Sequence, residues 1–105
     1  MAGPPQLTAE QRRAALAKAG EVRRKRAEVK QMLKMRSISL SDLLAQAETD
    51  DVVAGTKVLA VLESLPGMGK VRARRMMEEI GIADSRRIRG LGDQQRASLL
   101  ARCGD

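Results

Sequence analysis

Leu65-Pro66-Gly67-Met68-Gly69-Lys70 is the stretch of this chain best suited to chemistry at a phosphate. Leu65 precedes a proline and is biased away from helical geometry, while Gly67 and Gly69 have no Cβ and can take positive φ or touch a ligand closely. A helical pattern follows over 71–80. Its first turn carries unpaired N–H groups and a partial positive charge, with Lys70 and Arg74 one turn apart beside it. Amides, helix end and cations together predict an anion clamp of the helix-hairpin-helix kind. A tight helix–helix corner, in which the glycines serve sterics alone, is the plainer reading. The nucleotide-binding P-loop does not fit: it needs a glycine where Ser64 stands and a hydroxyl where Val71 stands.

A second candidate set is Arg86-Arg87-Ile88-Arg89-Gly90-Leu91-Gly92-Asp93. Gly90-Leu91-Gly92 echoes Gly67-Met68-Gly69, but Asp93 occupies the place of Lys70, would repel a phosphate, and reads better as a helix N-cap. Ile88 and Leu91 are expected in the core. That leaves Arg86, Arg87 and Arg89 pointing out of an extended loop bounded by Gly90, either as solvated charge or for insertion into the minor groove of a duplex. The third set is a stripe: Arg12, Arg23, Lys30 and Lys34 fall within about 40° of one another at 100° per residue. Phosphate contact is its functional reading, and a solvated face or short coiled coil its plain one.

The charge distribution supports a polyanion partner. Of 20 basic and 13 acidic residues in 105, residues 1–36 hold 10 and 3, so this third carries the whole surplus of seven. Residues 37–63 are acidic and 64–105 basic again, so positive segments flank a negative middle. With no histidine and one cysteine, Cys103, neither a transition-metal site, a catalytic triad nor an internal disulfide is expected, and no cofactor is implied. Phe, Tyr and Trp are all absent, which removes the stacking platform of single-strand and RNA-binding sheets and favours a duplex backbone. No long apolar run and no signal-like start are present, so a soluble, cytosolic protein without membrane contact is expected.

These groups must be positioned by helices. Thr8 with Gln11 predicts a capping box opening a helix that runs to about Arg36, interrupted only by Gly20. At about 40 Å it exceeds what so small a domain buries. Ala15, Val22, Val29 and Leu33 form its docking stripe. Ser39 starts a second helix with Leu40, Leu43, Leu44 and Ala47 on one face; Val58, Val61, Leu62 and Leu65, then Ala73, Met76, Met77 and Ile80, repeat the spacing on either side of the hairpin. Gly81 caps the second of that pair, and Arg96, Leu99, Leu100 and Cys103 mark a last amphipathic helix with the thiol on its apolar side. The expected fold is all-α: a basic extension over 1–36, mostly one helix, followed by a compact helical domain over 37–105.

Leu62-Glu63-Ser64-Leu65-Pro66-Gly67-Met68-Gly69-Lys70-Val71-Arg72-Ala73, Ser85-Arg86-Arg87-Ile88-Arg89-Gly90-Leu91-Gly92 and the N-terminal Pro5-Gln6-Leu7-Thr8 with Glu10-Gln11-Arg12 resemble the integration host factor of the actinobacterial kind over nearly the whole chain. The resemblance implies a monomer-capable nucleoid protein of helix-two-turns-helix type that binds duplex DNA with little sequence preference and alters its shape. It also implies a role as host factor for recombination and chromosome organisation, with a site-specific recombinase as partner on DNA. It places DNA contact at Gly67, Gly69, Lys70, Arg72 and Arg74 and at Arg86, Arg87 and Arg89. The family usually has a lysine where Gly55 stands and an aromatic residue where Cys103 stands. Two relatives of the fold remain as comparisons. The ribosomal type binds RNA and usually carries a long basic tail, whereas only Gly104 and Asp105 follow Cys103. The glycosylase type attacks through an N-terminal proline, whereas loss of Met1 would expose Ala2, so no catalysis is expected. A helical protein–protein adaptor is the alternative from another class.

Overall fold

The computed structural model describes residues 8–103; the beginning of the 1–36 extension and the two C-terminal residues lie outside them. Six α-helices follow in order: α1 (Ala9–Lys34), α2 (Leu40–Gln46), α3 (Asp51–Ala54), α4 (Val58–Glu63), α5 (Lys70–Ile80) and α6 (Asp93–Cys103), with a 3₁₀ turn at Ile88–Gly90 before the last. The described residues contain no strand, only one isolated antiparallel bridge between Lys57 and Arg87. The all-α expectation holds.

The helix starts are chemical as well as periodic. At α1 the Thr8 hydroxyl accepts from the Gln11 amide at 3.0 Å and the Gln11 side chain accepts from the Thr8 amide at 2.9 Å, a reciprocal cap that satisfies two otherwise unpaired donors. Ser39 and Asp42 do the same at α2, and the hydrogen bonds from Ser39, its backbone amide first, hold the Asp42 carboxyl below the usual carboxylate range. Asp50 caps α3, a single turn too short to show an apolar period and absent from the sequence expectation. Gly81 ends α5 at φ +90, the left-handed geometry that glycine adopts without a Cβ penalty. Asp93 is the first residue of α6 rather than its N-cap: the ladder opens with the Arg96 amide on the Gly92 carbonyl, and the Gln95 side chain turns back to accept from the Gly92 amide at 3.0 Å.

One apolar cluster takes a contribution from every element, from Val29 and Leu33 of α1 to Leu99 of α6. The α1 stripe docks only in its second half. Leu33 is 1% exposed and Val29 is buried, Val22 is half-buried, and Ala15 lies in solvent, so the expectation that the whole stripe packs is corrected. Periodicity identifies a face, but the rest of the chain reaches only the last turns of a helix 26 residues long. The first turns stand clear of the body, consistent with principal extents of 52 × 32 × 26 Å. Cys103 sits half-buried at the edge of the cluster, its Sγ 3.9 Å from Met76 Sδ.

The two halves of α1 should therefore respond differently to the same truncation. Leu33→Ala should destabilise the fold by about 2–5 kcal/mol through lost burial and a residual cavity. Leu16→Ala, at a side chain 65% exposed, should change stability by no more than about 0.5 kcal/mol. Urea denaturation followed by circular dichroism separates the two outcomes.

Candidate nucleic-acid interface

The hairpin joins α4 to α5 through the six residues 64–69, held by few bonds. The Ser64 hydroxyl donates to the Ala60 carbonyl at 2.8 Å, closing α4, and the Met68 amide donates to the Leu65 carbonyl at 3.1 Å, forming the turn. Gly67 lies at φ +74, where a side chain would be strained. Gly69 differs: it is the N-cap of α5 in extended geometry, φ −95 and ψ 170, and a Cβ placed on it would meet nothing within 4 Å. Since glycine has no side-chain oxygen, α5 lacks the side-chain cap that α1, α2 and α3 possess. The α5 ladder begins with the Ala73 amide on the Gly69 carbonyl at 2.9 Å. The amides of Lys70, Val71 and Arg72 precede that bond and have no carbonyl within the helix to meet. Lys70, Arg72 and Arg74 are all exposed around this bare end, as is Val71 at 74%.

The arginine loop is held more tightly than an outward-pointing loop would be. The Ile88 amide donates to the Thr56 carbonyl at 3.0 Å and the Val58 amide to the Arg86 carbonyl at 2.9 Å, pinning the loop to the start of α4 by two antiparallel bonds. Ile88 and Leu91 are buried as expected. The expectation that all three arginines point freely outward is corrected. Arg86 is half-buried and its Nη1 donates to the Gly90 carbonyl at 2.7 Å, while Arg87 Nη1 donates to the Gly55 carbonyl. Backbone carbonyls left over at the loop and at the end of α3 accept these donors, which is why the side chains fold back. Gly90 owes its identity to Arg86: a Cβ there would stand 2.9 Å from Arg86 Cδ. Arg87 stays exposed despite its contact, and Arg89 is exposed as well.

The α1 stripe is exposed throughout but is not one surface. Arg12 lies on the turns clear of the body, Arg23 lays its guanidinium back along α1 toward Gly20, and Lys30 and Lys34 line a shallow groove against Ala60, Glu63 and Ser64 of the α4 region. Three further arginines, not conspicuous in the sequence pattern, join the candidate sites. Arg36 and Arg102 line a groove of about 490 Å³ beside Gly67 and Arg72, and Arg26 of α1 reaches the Gly55 carbonyl at 3.3 Å. For Arg26 a signal existed: on the helical wheel it falls about 20° from Leu33, on the face that packs. Its partner, 29 residues away, is not readable from local spacing.

Three basic sets thus surround a body whose described residues contain no helix long and apolar enough to cross a membrane. The family model described as an S13-like H2TH domain matches residues 33–103, from the last turn of α1 to the end of α6. The integration host factor of Streptomyces coelicolor is 58% identical over 99 residues, 94% of this chain and 92% of that protein. Those of Mycolicibacterium smegmatis and Mycobacterium tuberculosis are 55% and 53% identical over 91% and 95% of this chain, and over the same shares of their own. A solved structure of sIHF bound to an 8-bp palindromic DNA superposes with a TM-score of 0.81 at 52% identity, covering 84% of this chain and 99% of that one. With identities above one half over nine-tenths of the chain, and with the hairpin, the pinned arginine loop and the docked long helix in place, the chain belongs to the actinobacterial integration host factor family.

Proposed function

We propose that this protein is a nucleoid-associated binder of duplex DNA, with low sequence specificity, that grips the phosphate backbone through the Gly67–Gly69 hairpin and alters DNA shape. The observation that carries this reading is Gly69. Its backbone is extended and its surroundings are empty, so nothing inside the chain requires glycine there. A bare helix end ringed by Lys70, Arg72 and Arg74 gives that absence a purpose: a phosphate can reach the amides directly. The relative solved with an 8-bp DNA supports the same polymer as ligand.

In this reading Arg86, Arg87 and Arg89, on the loop that Gly90 lets fold, form a second contact whose charge suits a narrowed minor groove. Arg12, Arg23, Lys30 and Lys34 add sequence-blind attraction from α1. Residues 1–36 then act as a basic extension of a DNA-binding domain over 37–105. The protein works as a monomer in the cytoplasmic nucleoid, as an architectural factor rather than an enzyme. Recombination and chromosome organisation are its contexts, with a recombinase as a partner on the same DNA. The S13-like character of the matched family makes structured RNA the alternative ligand to be measured.

Titration of the purified protein against duplex DNA, single-stranded DNA and structured RNA of matched length tests the class. Duplex should be preferred, with affinities for unrelated duplexes within about tenfold, or about 1.4 kcal/mol, and with a steep log–log dependence on salt. Preference for RNA, or one duplex favoured a thousandfold, would sink the proposal.

The hairpin makes an ordered prediction. Gly69→Val fits the folded chain, because the site is empty, yet it blocks approach to the amides and should cost at least about tenfold in affinity, about 1.4 kcal/mol. Lys70→Ala removes one point charge and should cost less while lowering the salt slope by about one. Normal binding by a folded Gly69→Val variant means that the hairpin is only a corner.

Shape change should reside in the loop. Replacing Arg86 and Arg87 together with Ala should reduce DNA bending more than affinity, since Lys70, Arg72 and Arg74 still anchor the backbone. Energy transfer between dyes on the duplex ends, at saturating protein, reads the bend. Equal bending by the double variant leaves the loop as a phosphate contact alone.

A further inference from the structure

Arg26 is an arginine on the packed face of α1, where the helix spacing calls for an apolar side chain. It is half-buried, its Nη2 lies 3.3 Å from the Gly55 carbonyl, and its Nε is shut off from solvent without a hydrogen-bond partner. Arg87, on the arginine loop, donates to that same carbonyl. Arg89 completes the group: its Nη2 stands 2.6 Å from the point that a Gly55 Cβ would occupy, and Arg26 Nη2 stands 3.0 Å from the same point. Three guanidinium groups, one from the long helix and two from the arginine loop, therefore converge on a residue without a side chain.

The charge at this point is uncompensated. Among the described residues the ion pairs are Lys25 with Asp50 at 3.5 Å and Arg102 with Glu79 at 2.6 Å, and neither includes Arg26, Arg87 or Arg89. A carbonyl oxygen offers lone pairs but no charge, so it orients the guanidiniums without relieving their mutual repulsion. What the cluster lacks is an anion, and guanidinium forks match the paired oxygens of a phosphodiester.

We propose that Arg26, Arg87 and Arg89 form one composite phosphate site around Gly55, in which Arg26 ties α1 to the arginine loop and supplies the third charge that holds a DNA backbone phosphate. The proposal rests on the reading of the loop as a DNA contact and adds to it a residue of α1 outside the exposed stripe. It also gives Gly55 a role, since its missing side chain is the space in which the guanidiniums meet. The rival account is structural: Arg26 merely caps the C-terminal end of α3, where a cation is favoured in any case.

Fluorescence anisotropy with one duplex over a salt series separates the two, using the full chain and the variants Arg26→Gln, Arg26→Lys, Arg87→Gln and Gly55→Ala. Arg26→Gln should weaken binding about tenfold at low salt and lower the log–log salt slope by about one, and Arg26→Lys should restore the slope but only part of the affinity. A cap-only role would lower the melting temperature of Arg26→Gln and leave its slope at the parent value, which overturns the proposal. Gly55→Ala covers the case in which Arg26→Gln does not fold. It keeps every charge, its backbone at φ −85 accepts alanine, and the new Cβ drives Arg26 and Arg89 apart. Several-fold weaker binding at an unchanged slope is expected, and parent-like binding overturns the proposal. Arg87→Gln distinguishes the two levels. If it is weakened while Arg26→Gln is not, only the composite site fails; if it binds as the parent does, the loop itself is not a DNA contact and both fail.

Discussion

A chain without one aromatic ring must close its core with aliphatic and thioether side chains, and this constraint governs the rest of the molecule. Each such side chain buries less surface than a ring does, so more elements have to converge on the same cluster. Here every helix contributes, down to the single turn of α3 with Val53 and the 3₁₀ turn with Ile88. The last turns of α1 are part of that closure through Val29 and Leu33. Docking them fixes the direction of the long helix, lifts its first turns away from the body and carries Arg26 to the end of α3. The basic arm and the arginine loop are related to each other through the core.

The parts legible in the sequence were those decided by neighbours. Thr8 with Gln11 and Ser39 with Asp42 close reciprocal caps whose partners lie three residues apart, and Gly81 ends α5 in the left-handed geometry. The apolar stripes of α2, α4 and α5 reached the core for the same reason, since one helical period specifies a face. What stayed hidden depends on distance along the chain or on extent. α3 is shorter than the pattern that would reveal it. Ala15 satisfies the stripe, but only the fold decides how far along α1 a partner reaches. Arg87 finds its acceptor 32 residues away, so no local rule could tell an outward arginine from one folded onto the Gly55 carbonyl.

Glycine appears at each candidate site for a different reason, and the differences separate fold from function. Gly67 is needed by its own backbone, at φ +74. Gly90 is needed by a neighbour, because Arg86 lies across the place of its Cβ. Gly55 stands where guanidiniums from two elements meet over one carbonyl. Gly69 answers to none of these internal demands. A glycine that the folded chain does not need lowers stability through the freedom it adds to the unfolded state, and exposes its helix end uncapped. In the proposed complex the ligand supplies the missing cap, so the same residue that weakens the free protein shapes the bound one.

The basic groups divide in the same way between those the fold holds and those it leaves loose. Arg86 and Arg87 are already fastened to carbonyls, and the amides at the start of α5 cannot move independently of the helix. Such groups lose little freedom on binding and so suit the task of setting where phosphates lie. Arg12, Lys30 and Lys34 are exposed, and in the proposed complex they act chiefly through the release of counterions, which is insensitive to position and sequence. In that complex the protein would read the geometry of a backbone at a few rigid points and draw affinity from diffuse charge elsewhere. The low sequence preference proposed for it would then follow from the arrangement itself, because rigid contacts made to phosphates carry no base identity.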